Sequence, residues 1–144
     1  MRLLIVVLLA ILYIGMPSCN SSEDRKEKPE QKEIVVNVQR YGSVIKLKPE
    51  KLKLYKDLHA NTWPGVLKQI TKSNIRNYSI YLKDGYLFSY FEYVGDDFKK
   101  DMELMAADST TKEWWKVTDP CQEPLETRAP GEWWAKMEEV FHHD

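Results

Sequence analysis

Residues 77–93 have the sequence NYSIYLKDGYLFSYFEY, and this stretch decides the fold of the chain. Residues 77–82 alternate as a half-buried strand does, and residues 86–93 form a return strand that is aromatic on both faces. Between them, Asp84-Gly85 predicts a type I′ turn, because both residues tolerate positive φ. We therefore predict a β-hairpin with both faces covered, one by helices and the other by a partner or a ligand.

The chain before this hairpin predicts one strand and two helical segments. The strand covers residues 40–47, with a strand-like extension before it. Lys48-Pro49-Glu50 begins a helix that ends near residue 60, because Pro fits the first turn and Glu favours the positive end of the helix dipole. Trp63-Pro64 starts the second segment. The side chains predicted to face inward are Leu52, Tyr55, Leu58 and His59 in the first segment, and Val66, Leu67 and Ile70 in the second.

The chain after the hairpin predicts two more helices, a loop and a last strand. Gly95-Asp96-Asp97 caps a helix, and Ser109 or Thr110 could cap the next one, which carries Trp114-Trp115. Residues 120–131 contain three prolines and predict a loop. Residues 133–142 are the last strand candidate, where Trp133-Trp134 would project to opposite faces and serve packing. The inner face predicted for the first of these helices is Phe98, Met102, Met105 and Ala106.

The order of these elements is βαββαβ. This order is typical of an α+β, ferredoxin-like fold, an antiparallel sheet with helices on one face. The other face of so small a sheet would expose aromatic side chains. We therefore expect two chains to pack sheet to sheet as a homodimer.

Composition excludes some classes of partner. The chain has 144 residues and a formal net charge of −1, so it lacks the clustered basic surplus that nucleic acid requires. Five Trp and eight Tyr suit neutral, amphipathic ligands such as sugars, whose C–H faces stack on rings. Aromatic residues more often build cores, so composition gives only a hint.

The first 19 residues predict a signal peptide. Arg2 precedes an apolar run over residues 3–12, which is shorter than the stretch needed to span a bilayer. Its end, Met16-Pro17-Ser18-Cys19, resembles a bacterial lipobox, in which the cysteine is acylated. An uncleaved membrane anchor with an incidental cysteine is the alternative. Both interpretations place the protein outside the cytoplasm, attached to a membrane in the periplasm or at the cell surface.

The remaining chain divides into a tether and one folded domain. Residues 20–33, NSSEDRKEKPEQKE, are almost wholly polar and predict a disordered tether. The folded domain covers residues 34–144. The two cysteines, Cys19 and Cys121, form neither a disulfide framework nor a zinc site, so we expect no metal.

Two pairs of residues are candidates for chemistry. Tyr55 and His59 lie four apart and share a helix face. Histidine can both donate and accept a proton near neutral pH, although a helix histidine is more often a surface or core group. Adjacent helical residues point about 100° apart, so one of Trp114 and Trp115 can pack inward while the other reaches a cavity or a partner chain. A core Trp beside an interface Trp is the alternative.

From Ile45 onward the chain resembles the L-rhamnose mutarotase family. The motifs that carry the resemblance are 55–59 (YKDLH), His-x-x-x-Trp-Pro at 59–64, 77–82 (NYSIYL), 114–116 (WWK) and 138–141 (EEVF). The resemblance implies a dimeric α+β barrel that binds a free sugar between sheet and helix. It implies an isomerase that interconverts the α and β anomers of L-rhamnose or a similar hexose, without metal or organic cofactor. In this role His59 is the proton donor, and the sugar contacts are Tyr55, Tyr78, Trp114 and Trp115.

Two departures from the family leave alternatives open. First, family members are usually described as cytoplasmic, whereas this chain has an export leader. Second, the loop at residues 120–131, with the second Trp pair, differs from the usual loop of the family. One alternative is a non-catalytic, sugar-binding surface lipoprotein; the presence of His59 favours the enzyme. Another is an unrelated ferredoxin-like dimer, such as a small monooxygenase or haem-handling protein. The Trp pair and the absence of a second histidine at ligand spacing argue against it.

Overall fold

The computed structural model of the chain describes residues 37–143. The predicted leader, the tether and Cys19 lie outside these residues. The strands are β1 (Gln39–Leu47), β2 (Ile75–Lys83), β3 (Tyr86–Tyr93), β4 (Gln122–Glu123) and β5 (Ala135–Met137). The helices are α1 (Leu52–Ala60), α2 (Pro64–Lys72), α3 (Phe98–Ala107) and α4 (Ser109–Thr118), with short 3₁₀ turns at Pro49–Lys51 and Asp119–Cys121. Within residues 37–143, every helix is too short or too polar to cross a bilayer.

The sheet is antiparallel and has the strand order β2-β3-β1-β4, with β5 also paired to β1. This order places β3 between the two strands that α1 and α2 connect. It confirms the predicted α+β, ferredoxin-like fold. The two short strands β4 and β5 share the edge of β1 where a single last strand is predicted.

The central hairpin has the predicted turn but also a bulge. Asp84 and Gly85 have φ of 51° and 80°, as a type I′ turn requires. In β2 the register with β3 shifts between Arg76 and Ser79, and Asn77 takes a φ of 48°. The extra residue lets Ile75 and Tyr78, an odd number of positions apart, point to the same face of the sheet.

Capping differs from prediction at one helix. Asp97 caps α3 as expected, accepting a hydrogen bond from the Lys100 backbone N–H at 3.0 Å. The cap of α4 is Asp108, which accepts from the Thr111 N–H at 2.8 Å, so the prediction of Ser109 or Thr110 is wrong. Asp108 has the extended backbone that a cap needs, whereas the residues after it are already helical.

Two side chains predicted to face inward, Leu52 and Ala106, do not, and Leu67 borders the cavity but is largely exposed. Leu52 and Leu67 are 41% and 53% exposed, and Ala106 is exposed as well. In α2 the buried line is formed by Val66 and Gln69, whose amide donates to the Ser73 hydroxyl at 3.1 Å. Leu67 lies about 100° around the helix from Val66, so it reaches only the edge of the interior.

The core lies between the inner face of the sheet and α1. Its buried members are Ile45, Leu47, Tyr55, Leu87 and Cys121, with Ile80 and Trp134 packed against them. A fully buried side chain such as Leu87 contributes about 1.5–3 kcal/mol relative to exposure. The Cys121 thiol is buried and donates to the Val117 carbonyl, so this cysteine acts as a packing residue.

The segment after α4 corrects two predictions. Residues 120–131 are not all loop, because Gln122 and Glu123 pair with the end of β1. The last strand is confined to Ala135–Met137, and Trp133 and Trp134 precede it. Their predicted placement on opposite faces of that strand is therefore wrong. The segment bends at Trp133 and Trp134 before it pairs with β1, and both residues border the cavity between sheet and helices.

Candidate functional site

A cavity of about 640 Å³ lies between the inner face of the sheet and the helices. All five residues predicted to form the sugar site line it: Tyr55, His59, Tyr78, Trp114 and Trp115. The volume is within the range of sites for small ligands. Cys19, the predicted lipidation residue, lies outside the described residues.

Helix α1 fixes the orientation of His59. Its ring stacks on Tyr55, with centroids 4.1 Å apart, and Nδ1 lies 3.0 Å from the Tyr55 carbonyl oxygen. Because a carbonyl only accepts, Nδ1–H is the donor, and Nε2 is left for a substrate. Burial lowers the pKa of His59, and the hydrogen bond to Tyr55 partly opposes this effect. At neutral pH the imidazole is therefore mainly neutral, with a lone pair on Nε2.

Tyr55 is the most buried of the predicted sugar contacts, at 4% exposure. Its hydroxyl accepts a hydrogen bond from the Gln122 amide at 3.4 Å. Burial, with a smaller electrostatic contribution from Tyr78, raises the pKa of Tyr55 well above its usual range. Tyr55 therefore stays a neutral phenol that can donate a hydrogen bond.

Tyr78 reaches the cavity because of the bulge in β2. Its ring packs edge-on against Phe91 at 5.7 Å. The residue as a whole is 43% exposed, but its hydroxyl is enclosed, and this burial raises the pKa of Tyr78 to about 12. Tyr78 is thus a second neutral donor in the same cavity.

The adjacent tryptophans of α4 differ in burial and in position at the cavity. Trp114 is 6% exposed and packs edge-on against both His59 (5.3 Å) and Trp63 (5.4 Å). Trp115 is 36% exposed and lines both this cavity and an open groove beside it. Both rings therefore border the cavity, one as part of its wall and the other at its mouth.

Four residues that the sequence analysis did not assign to the site also line the cavity: Asp119, Gln122, Trp133 and Trp134. Gln122 joins both sides, since its amide nitrogen donates to Tyr55 and its oxygen accepts from the Trp133 indole N–H at 2.7 Å. The second Trp pair at 133–134 was the available signal. The sequence predicts a packing role for this pair because it predicts a strand there, whereas the strand begins only at Ala135.

The rest of the cavity has a polar floor and an apolar end. On the floor, the hydroxyls of Ser43 and Ser89 are hydrogen-bonded at 2.6 Å across β1 and β3. The apolar end is formed by Val66, Ile70, Ile75, Met102 and Met105. Within residues 37–143, His, Cys, Asp and Glu side chains form no cluster of three that could hold a metal ion.

The fold and site define a class of protein. It is a ferredoxin-like α+β domain whose cavity holds one imidazole among tyrosine hydroxyls and indole rings, which suits proton transfer on a small hydroxylated ligand.

Comparison with known proteins gives the family. Residues 40–143 match the family model of L-rhamnose mutarotase, and the chain belongs to this family. It is 32% identical to the L-rhamnose mutarotase of Lactiplantibacillus plantarum over 107 residues, which are 73% of this chain and 98% of that protein. The L-rhamnose mutarotase of Oceanobacillus iheyensis is 28% identical over 107 residues, 74% of this chain and all of the relative.

Solved structures agree with the fold. The L-rhamnose mutarotase of Formosa agariphila superposes with a TM-score of 0.57 at 22% identity, covering 74% of this chain and 99% of that one. Tetracenomycin F2 cyclase of Streptomyces glaucescens has the same TM-score at 10% identity, over 74% of this chain and 97% of the cyclase, which reflects the fold alone. Family membership confirms the resemblance found in the sequence. It identifies the chain as an isomerase and argues against an unrelated ferredoxin-like protein.

Proposed function

We propose that this enzyme interconverts the α and β anomers of free L-rhamnose, or a similar hexose, in the 640 Å³ cavity, with His59 as general acid–base. The observation that carries the proposal is the orientation of His59, whose Nδ1 is held by the Tyr55 carbonyl at 3.0 Å while Nε2 stays available. The lowered pKa of His59 makes its imidazolium a stronger acid. This favours proton donation to the ring oxygen of the sugar.

Sugar binding would combine hydrogen bonds with stacking. The neutral hydroxyls of Tyr55 and Tyr78 would orient sugar hydroxyls, and Trp114 and Trp115 would cover a C–H face and exclude water. The apolar end suits a 6-deoxy sugar, because a methyl group is buried there without loss of a hydrogen bond. A sugar with a hydroxyl at C6 would leave that group unpaired.

Exchange spectroscopy by NMR tests the function directly. Saturation of the α-anomer signal of L-rhamnose should transfer to the β-anomer in proportion to the concentration of the full chain, held in detergent. His59→Gln should lower this rate by about 10²–10⁴-fold. His143→Gln, at the exposed C-terminal end, is the matched control and should leave it unchanged. Exchange by His59→Gln at the wild-type rate would contradict the role of His59. Binding without exchange by the wild type would support the non-catalytic alternative.

The outer face of the sheet supports a homodimer. It carries Val44, Tyr81, Tyr86, Phe88 and Met137 on the side opposite the helices. Tyr81 is 64% exposed, which leaves a large ring uncovered on a small sheet. We infer that two chains pack these faces together. Light scattering should give the mass of a dimer, and Tyr81→Lys should shift it toward the monomer.

The sequence of the leader supports a membrane location. We propose that Cys19 is lipidated and holds the domain outside the cytoplasm, by way of the tether at residues 20–33. A Cys19→Ser variant should then leave the membrane fraction. Its retention there would instead support an uncleaved anchor.

A further inference from the structure

Opening a cyclic hemiacetal requires two proton transfers at different oxygens. One proton must reach the ring oxygen while another leaves the anomeric hydroxyl, and His59 accounts for the first transfer only. We propose that the carboxylate of Asp119 is the second catalytic group, which takes the proton of the anomeric hydroxyl and returns it on closure. This inference rests on the proposed function and names the partner that His59 lacks.

The position of Asp119 supports this role. It follows α4 directly, in the 3₁₀ turn that leads into β4, and its side chain lines the same cavity as His59. It also lines the open groove beside the cavity, together with Trp115 and Trp133. Asp119 thus lies at the mouth, at the boundary between the cavity and solvent.

Tyr55 connects the two groups in space. Its ring stacks on His59 at 4.1 Å, and the negative charge of Asp119 is one of the contributions that raise the pKa of Tyr55. Imidazole and carboxylate therefore border the same cavity as the Tyr55 phenol, on which the sugar is expected to rest. Such an arrangement would place one proton-transfer group near each of two adjacent sugar oxygens.

The carboxylate of Asp119 is available for a substrate. Among the described residues, no hydrogen bond or ion pair to its side chain competes with a ligand. Burial raises the pKa of Asp119, which makes its carboxylate a better proton acceptor than one in water. The titratable groups that line the cavity and groove around it are Tyr55, His59 and Tyr78 in the cavity, and Lys48, Lys112, Glu113 and Lys116 in the groove.

The two proposed proton transfers need no co-reactant. Asp119 takes the proton of the anomeric hydroxyl, the C1–O1 bond becomes a carbonyl, and the bond from C1 to the ring oxygen breaks. The electron pair of that bond stays on the ring oxygen, which takes the Nε2 proton of the His59 imidazolium, the form that reacts. After rotation about C1–C2, the ring oxygen attacks the other face of the carbonyl. Both protons then return to the groups that held them.

The test is the pH profile of Asp119→Asn, measured with the full chain in detergent by NMR exchange on L-rhamnose. The wild-type rate should fall at low pH as Asp119 is protonated, and at high pH as His59 loses its proton. Asp119→Asn should lower the exchange rate by about 10²–10⁴-fold and lose the fall at low pH. Asp119→Glu should recover part of the rate. Asp57→Asn removes an exposed carboxylate from the outer side of α1 and should match the wild type.

The outcomes separate this inference from the proposed function. If the wild type and Asp119→Asn exchange anomers equally, or if the variant keeps the fall at low pH, the inference is overturned while the function stands. If the wild type gives no exchange, the proposed function itself fails. Saturation-transfer difference signals from bound L-rhamnose should persist in Asp119→Asn. Their loss, together with lost activity and an unchanged pH profile, would assign Asp119 to binding instead.

Discussion

The two sides of the cavity are built in different ways. The helix side (Tyr55, His59 and Trp114) consists of residues on α1 and α4 that are already placed by helical spacing. The C-terminal side (Gln122, Trp133 and Trp134) has little regular structure and is held by hydrogen bonds across it. The helix side is therefore positioned by regular secondary structure. On the C-terminal side, Trp134 packs against the core and Gln122 is buried, whereas Trp133 is 45% exposed and should be replaced at a smaller cost in stability.

Replacing one indole on each side should lower the free energy of unfolding by different amounts, and the loss should be larger on the helix side. Trp114 is 6% exposed and packs on His59 and Trp63, so Trp114→Ala should lower the free energy of unfolding by about 3–5 kcal/mol. Trp133 is 45% exposed, so Trp133→Ala should cost only about 1–2 kcal/mol, mainly through its lost hydrogen bond. Urea unfolding followed by circular dichroism measures both.

Equal costs for the two variants would mean that the C-terminal side is as much a part of the core as the helix side. The anomer-exchange assay adds a second criterion. Trp133→Ala should stay folded but need a higher L-rhamnose concentration for half-maximal rate. A folded Trp133→Ala variant with unchanged kinetics would remove Trp133 from the site.

Gln122 joins the two sides, and its replacement should have an intermediate effect. Gln122→Leu removes the donor to the Tyr55 hydroxyl and the acceptor of the Trp133 indole N–H, and should cost about 1–3 kcal/mol. Trp133→Phe removes only the second of these bonds and serves as the matched comparison. If the two variants unfold at the same urea concentration, the bond from Gln122 to Tyr55 contributes nothing measurable.

The same contrast explains which parts of the site could be predicted from the sequence. Tyr55 and His59 meet because residues four apart share a helix face, and Asp84-Gly85 specifies its turn through local backbone preference. Such features depend on neighbours in sequence. The hairpin, the four helices and the pairing of Tyr55 with His59 were therefore within reach of local patterns, whereas the sugar-contact roles came only from the resemblance to the mutarotase family.

The parts that were missed depend on tertiary contacts. The bulge at Asn77 is compatible with an alternating pattern over 77–82, so nothing local indicates that Ile75 shares a face with Tyr78. Trp133 and Trp134 look like strand residues, but pairing with β1 begins only at Ala135. The role of Asp119 is equally invisible in sequence, since it depends on the cavity that the chain forms around it.

The smallest expected effect concerns the pH dependence of stability on the helix side. The folded pKa of His59 lies below its unfolded value near 6.5. The unfolded chain therefore binds the proton more tightly, and stability is greatest above pH 6.5 and declines as pH falls toward the folded pKa. The melting temperature of the wild type should thus decrease between pH 8 and pH 5.5. In His59→Gln this decrease should be smaller, which differential scanning calorimetry can resolve. The other lowered pKa values belong to Asp101 and Asp108, which titrate below this window in both proteins and so cancel. An identical decrease in the two proteins would show that the His59 ring is solvated in the folded chain, contrary to its stacking against Tyr55 and Trp114.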